Sequence, residues 1–139
     1  MSEAIRNAFR TQAAGCRAMN SPLTADVLDS LAEILDHNSR TGARIVDWPS
    51  DPMAGALKLR IAGGLHALAR SGQDPELTAL YETGAGDFNA VLKRVLNEWD
   101  NWLYPWLDSP PQTNEVGRSA ALMAGLVVAA KRLAMPIEL

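Results

Sequence analysis

A dense run of polar side chains near the end of the chain is the strongest candidate for a binding site. Residues 112–118 read QTNEVGR and follow a proline pair that excludes a helix immediately before them. A helix N-terminus with free N–H groups and a nearby arginine can bind a carboxylate or a phosphate. The candidate ligand-facing or interface-facing residues are Gln112, Thr113, Asn114, Glu115 and Arg118.

The start of a predicted helix explains part of the same run without a ligand. Thr113 or Asn114 can cap the helix, and Glu115 suits the positive end of the helix dipole. If the helix is regular, Asn114 and Arg118 lie on one face, while Gly117 leaves room for a ligand or a backbone to approach. The residues alone therefore leave both a ligand site and a capped, ion-paired helix start open.

Few other residues have side chains that could act in catalysis or bind a metal. Cys16 is the single cysteine, so neither an internal disulfide nor a cysteine-based metal cluster is expected. His37 and His66 have no partner at metal-ligand spacing, and His66 is better explained as a hydrogen-bonded core or rim histidine. The segment 84–88, GAGDF, lacks the lysine of a phosphate-binding loop. The catalytic residues stay unknown, and no metal is expected.

Three tryptophans form an aromatic stripe at helical spacing. Trp99, Trp102 and Trp106 could build a platform for a planar ligand, cover a second domain or form a homodimer interface, because such rings offer large, rigid contact areas. Stripes of this kind are more often part of a core. We therefore treat these residues as secondary interface candidates.

Composition bounds the class of protein. The chain has 139 residues, of which 47% are hydrophobic, so it is long enough to bury a core as a single domain over residues 1–139. Its formal net charge of −3 gives no long-range field that would attract nucleic acid. The sequence shows neither a signal peptide nor a membrane-spanning run, so a cytoplasmic location is expected.

Hydrophobic periodicity predicts an all-α fold, an irregular orthogonal or bundle-like array of about five long helices plus one or two short ones. Helix starts are predicted at Pro22, at Asp51–Pro52, at Asp74–Pro75 and at Asp87, and Pro105 is expected to end or kink the tryptophan-bearing helix. A last helix should follow the QTNEVGR run to about Ala134, and residues 136–139 would begin a strand of a missing second domain.

A glycine pair interrupts the third long helix. Gly63 and Gly64 each cost about 1 kcal/mol relative to alanine inside a helix. Close approach of another helix backbone is the expected compensation.

Several strings together resemble a bacterial family known as domain-of-unknown-function family 2332. They are QTNEVGRSAAL, the apolar helix and small-to-proline step after it, FRTQAAGC at 9–16 and SPL at 21–23. The resemblance implies that longer members continue into a glycine-rich turn similar to that of S-adenosylmethionine-dependent methyltransferases. That turn is missing here, so the resemblance implies no catalysis and no cofactor for this chain, and S-adenosylmethionine only for an extended one.

The expected function is that of an N-terminal cap, or substrate-recognition module, of a larger methyltransferase-like protein. The partner would then be the missing C-terminal domain. The alternative is a stand-alone interaction or homo-oligomerisation domain that uses the tryptophan stripe and the last helix.

Overall fold

The computed structural model describes residues 2–49, 51 and 56–108. Throughout these ranges the regular structure is helical, which confirms the all-α fold class. The helices that they contain are α1 (Glu3–Ala18), α2 (Pro22–Ile34), α3 (Arg40–Val46), α4 (Leu57–Ser71), α5 (Pro75–Thr83), α6 (Phe88–Glu98) and α7 (Asp100–Leu107). The predicted last helix and the predicted strand start at 136–139 lie outside the described residues.

Local capping chemistry sets several helix starts. The carboxylates of Asp74 and Asp87 each accept the backbone N–H three residues on, at 3.0 Å, as the sequence predicts for α5 and α6. Pro22 occupies the first turn of α2, also as predicted. The hydroxyl of Ser21 does not cap α2 but donates to Thr24 Oγ1 at 3.1 Å. The described part of α4 begins at Leu57, later than the predicted start at residues 51–52.

The core is shared by all of these helices, and α4 lies at its centre. α1 packs along α2, α2 packs on α6, and α4 contacts α1, α2, α5 and α7. Phe9, Leu28, Leu65 and Leu92 are fully buried where these helices meet. Burial of one such side chain contributes about 1.5–3 kcal/mol, so the apolar stripes dominate the stability of the fold.

Gly64 lets α7 approach α4 closely. A Cβ atom added to Gly64 would lie 3.0 Å from Cγ of Trp106 and 3.3 Å from Cδ2 of Leu103. Such a contact is tighter than van der Waals packing allows, so the glycine makes room for the tryptophan ring. The prediction of a close helix backbone is wrong at Gly64, because the close neighbours are side chains of α7.

The tryptophan-bearing segment contains two helices, and Pro105 does not separate them. The break lies at Trp99, between α6 and α7, while Pro105 lies inside α7. Because α7 starts at Asp100, the proline falls in its second turn and removes only one early intrahelical hydrogen bond. The prediction of one long helix that ends at Pro105 is therefore wrong, since the break lies at Trp99 and α7 continues to Leu107.

None of the helices in the described ranges is long and apolar enough to cross a membrane.

Candidate functional site: an open pocket between α3 and α7

An open pocket of about 660 Å³ lies where α3 meets α7. Its lining combines charged and aromatic side chains with small apolar ones. The lining residues are Arg40, Ala43, Arg44, Asp47, Trp48, Pro49 and Tyr104. We refer to it below as the α3–α7 pocket.

Helical spacing brings the lining residues of α3 to one side. Arg40, Arg44 and Trp48 follow one another at four-residue steps along α3 and the turn after it. Residues at that spacing lie above one another on a helix surface. The pocket is completed by Tyr104, which comes from α7.

Asp100 fixes α3 against α7. Its carboxylate accepts the backbone N–H of Arg40 at 3.1 Å, and the backbone N–H and hydroxyl of Thr41 at 2.8 and 2.6 Å. Burial by itself raises the pKa of Asp100, but these hydrogen bonds from Thr41 and Arg40 hold it below its ordinary value. The ionised carboxylate thus caps α3 from a neighbouring helix.

Both arginines rest on aromatic rings. Cζ of Arg40 lies 4.4 Å from the centroid of the Tyr104 ring, and Cζ of Arg44 lies 5.3 Å from the same centroid. Arg44 also lies 5.6 Å from the ring of Trp48. Each contact of this kind contributes about 0.5–1 kcal/mol at an exposed site. Electrostatic attraction to the ring faces limits the freedom of each guanidinium, whose N–H donors lie in its own plane.

The carboxylate contacts of the two arginines are incomplete. Nη1 of Arg44 lies 2.6 Å from Oδ1 of Asp108, whose side chain is 55% exposed. Arg40 donates to Asn101 Oδ1 at 2.8 Å and lies 3.6 Å from Asp100 Oδ2. Each guanidinium carries more N–H groups than these contacts use. Within the described residues, Arg44 therefore has N–H donors that these contacts do not use.

A second arginine–carboxylate cluster lies between α5 and α6, away from the pocket. Arg94 binds both oxygens of Asp74 at 2.8 and 3.0 Å, and also contacts Glu76 and Glu98. Nε1 of Trp99 donates to Asp74 at 2.8 Å. The hydrogen bonds from Arg94, above all, lower the pKa of Asp74 to about 2. We call these residues the Asp74 cluster, and its filled hydrogen-bonding capacity indicates a structural role.

His66 is buried between α4 and α5, as its neighbours predict, but it is not fully hydrogen-bonded. Its ring lies 5.9 Å from that of the buried Tyr81, and its Nε2 has no hydrogen-bond partner among the described residues. Burial, with a contribution from Arg70, lowers the pKa of His66 to about 4. The residue is therefore neutral at physiological pH.

The family is settled by a comparison with family models. Residues 6–139 match the model for uncharacterised proteins conserved in bacteria, domain-of-unknown-function family 2332. The chain belongs to this family. The match includes all the strings on which the resemblance rests, from residues 9–16 to the QTNEVGR run. No curated protein and no solved structure matches the chain.

For this member of the family, the structure describes only the secondary set of predicted site residues. Gln112, Thr113, Asn114, Glu115 and Arg118 lie outside the described residues. Trp99, Trp102 and Trp106 are partly buried on α7 or at its start. Their role at an interface stays a prediction.

The tryptophan rings all have contacts inside the domain. Trp99 packs on the core and donates to Asp74, while Trp102 and Trp106 stack with ring centroids 5.9 Å apart. Trp106 also fills the space that Gly64 leaves on α4. A binding partner would therefore meet only their remaining exposed edges.

The lining residues of the α3–α7 pocket were missed by sequence reasoning. The four-residue spacing of Arg40, Arg44 and Trp48 was a usable signal once α3 was recognised as a helix. Tyr104 lies sixty residues further along the chain than Arg44, and nothing local links the two. The pocket is a product of the tertiary fold.

The described residues contain neither of the two features that bind S-adenosylmethionine in methyltransferases of the parallel-sheet type. The binding site of such methyltransferases uses the ends of parallel strands and a glycine-rich turn, and residues 2–49, 51 and 56–108 contain no strand. In the GAGDF segment Gly84 ends α5 in a left-handed conformation and Asp87 caps α6. Nor do these ranges hold a group of three His, Cys, Asp or Glu side chains placed to bind a metal.

Proposed function

We propose that this chain is the helical recognition module of a larger, methyltransferase-like protein and that it binds its ligand at the α3–α7 pocket. The observation that carries the proposal is the pair of arginines fixed on aromatic rings at the edge of an open, 660 Å³ space. Such a site offers charge, flat apolar surface and defined geometry together.

Preorganisation supports recognition. Asp100 holds α3 in register with α7, and stacking limits the freedom of Arg40 and Arg44 before a ligand arrives. Less conformational entropy is then lost on binding. Arginine, tryptophan and tyrosine are also the residue types that dominate binding energies at protein surfaces.

The predicted polar run is compatible with the same site. Asp108 contacts Arg44 at the pocket, and Gln112 follows only four residues later. Four residues span at most about 14 Å. We propose that residues 112–118 and the α3–α7 pocket belong to one ligand-facing edge.

The methyltransferase-like part of the proposal comes from the family resemblance at QTNEVGRSAAL and the segment that follows it. Catalysis and binding of S-adenosylmethionine are assigned to the remainder of the larger protein, because the described helices contain neither of those two features. In this arrangement the helical module contributes substrate recognition and no chemical step.

Calorimetry tests the division of labour. The chain of residues 1–139 should give no binding heat with S-adenosylmethionine, and a version extended through the methyltransferase-like segment should bind it. Absence of heat from the extended protein would contradict the methyltransferase assignment.

The recognition role needs a separate experiment on the extended protein. Methyl transfer from labelled S-adenosylmethionine to a bacterial small-molecule extract should fall several-fold with Tyr104→Ala, while cofactor binding stays unchanged. Lys93→Ala, an exposed change on α6, is the matched control. Equal transfer by all three proteins would remove the pocket from the proposal.

A further inference from the structure

We infer that Arg44 is a binding site for the carboxylate of a small acid that carries a flat apolar group, and that Asp108 occupies this site until the ligand displaces it. The inference rests on the proposed recognition function for its biological meaning. It rests on the contacts of Arg44 for its chemistry.

Asp108 shows that a carboxylate fits against Arg44. The two atoms in contact, Nη1 and Oδ1, are 2.6 Å apart, which is within ion-pair distance. A guanidinium and a carboxylate can form two parallel hydrogen bonds. A ligand carboxylate that approached Arg44 in the guanidinium plane would form both.

Displacement of Asp108 costs little. Its side chain is 55% exposed, and that of Arg44 is 30% exposed. Ion pairs between exposed side chains contribute about 0–1 kcal/mol, because water and salt screen them. After displacement, Asp108 is free to recover its hydration in solvent.

The other lining residues determine which group attached to the carboxylate can bind in the pocket. Ala43, Trp48, Pro49 and Tyr104 provide apolar surface beside Arg44. A flat ring or a short unsaturated chain would bury apolar area against these side chains, at about 25 cal/mol per Å². A bare inorganic anion would leave that surface unused.

Local charge favours a singly charged anion over a phosphate dianion. Arg40 and Arg44 are accompanied by three carboxylates, those of Asp47, Asp100 and Asp108. The C-terminal ends of α3 and α7 add partial negative charge at the same place. A carboxylate with one charge meets less of this repulsion.

Benzoate is a suitable probe for the full chain of residues 1–139. Its binding is followed by the NMR shifts of the Trp48 and Tyr104 ring protons, with benzamide as a neutral probe of the same shape. Benzoate should bind in the millimolar range and benzamide should not. Asp108→Asn should tighten benzoate binding about fivefold, since the competing carboxylate is gone.

Asp47→Asn is the matched control, because Asp47 lines the same pocket without contacting Arg44. It should tighten binding less than Asp108→Asn does, and Arg44→Gln should abolish binding while circular dichroism shows an intact fold. Equal effects of the two aspartate changes, equal binding of benzamide or binding by Arg44→Gln would each overturn the inference.

The benzoate experiment and the methyl-transfer experiment can fail independently of each other. If benzoate fails to bind but Tyr104→Ala still lowers methyl transfer in the extended protein, recognition stands and the acid class is wrong. If benzoate binds as described and Tyr104→Ala has no effect on transfer, the carboxylate site stands and the recognition function is wrong.

Discussion

Arg94 and Arg44 both contact carboxylates and lie near aromatic side chains. They differ in how many carboxylates they contact and in how buried those carboxylates are. Arg94 contacts three carboxylates, one of them the buried Asp74, which also binds a tryptophan N–H. Among the described residues, Arg44 has one carboxylate partner, the exposed Asp108, and it lies over the rings of Trp48 and Tyr104 beside an open pocket. We call the Asp74 cluster closed, because the carboxylate of Asp74 has all its hydrogen-bonding positions filled. We call the α3–α7 pocket incomplete, because its arginines have N–H donors that contacts among the described residues do not use.

This difference distinguishes arginine–carboxylate clusters that stabilise the fold from those that can bind a ligand. In a closed cluster each polar group already has its partner, so removal of one member leaves another buried and unpaired. In an incomplete one, removal changes what the surface can bind and leaves the fold almost unaffected. The predictions below test this contrast in order of expected size.

The largest effect is expected for Asp74→Ala. The change removes the cap of α5 and leaves Nε1 of Trp99 without its acceptor. Arg94 loses its two contacts to the buried carboxylate and keeps only the exposed Glu76 and Glu98. We expect the free energy of unfolding in urea to fall by about 3 kcal/mol. Glu76→Ala, at a side chain that is 59% exposed, is the control and should lower it by less than about 1 kcal/mol. A loss of under 1 kcal/mol for Asp74→Ala would mean that the closed cluster is not structural.

Protonation of Asp74 at low pH should remove the stabilisation that the Asp74 cluster provides. The pKa of Asp74 is lowered to about 2 in the folded protein from an ordinary value of 3.8, chiefly by Arg94. Because the folded pKa is the lower one, the stabilisation is present above pH 3.8 and is lost as pH falls towards 2. Wild type and Asp74→Asn should therefore converge in stability across that window.

His66 is a buried polar group with an unfilled contact, and its effect should be next in size. Its pKa is about 4 when folded and 6.5 ordinarily, so the unfolded chain takes up a proton first. The stability contribution of the neutral ring is complete above pH 6.5 and declines towards pH 4, by on the order of 2 kcal/mol. Urea unfolding of His66→Phe should show a flatter pH dependence there than wild type. His37→Gln, at an exposed side chain, is the control.

Gly64→Ala tests how α7 is seated beneath the pocket. The new methyl group would lie 3.0 Å from the Trp106 ring, whereas at Gly15 of α1 the nearest atom is Gln12 Nε2 at 4.0 Å. We expect Gly15→Ala to raise the melting temperature through helix propensity and Gly64→Ala to lower it, each by an amount equivalent to about 1 kcal/mol. Equal increases would show that α4 and α7 are not closely packed.

Much of this fold could be predicted from sequence because its signals are local. The starts of α2, α5 and α6 follow from Pro22, Asp74 and Asp87, and the all-α class follows from apolar periodicity. The break at Trp99 could not, because the sequence around it is compatible with one continuous helix. The break at Trp99 directly precedes Asp100, whose carboxylate caps α3, about sixty residues earlier in the chain.

The candidate site was less predictable for a related reason. The polar run 112–118 attracts attention because its residues are adjacent in sequence, whereas Arg44 and Tyr104 meet only through the packing of α3 on α7. Ion pairing and stacking between distant residues leave no periodic pattern. Sequence analysis therefore finds compact motifs first and composite pockets last.

The contrast between Arg44 and Arg94 can be measured by two substitutions, each assayed in two ways. Arg44→Gln and Arg94→Gln remove the same charge from the open pocket and from the closed cluster, and each protein is titrated with benzoate and unfolded in urea. We predict that Arg44→Gln loses benzoate binding and keeps its stability within about 1 kcal/mol. Arg94→Gln should keep benzoate binding and lose about 2–3 kcal/mol of stability. The account would be contradicted if both variants lost stability equally, or if Arg44→Gln bound benzoate like wild type.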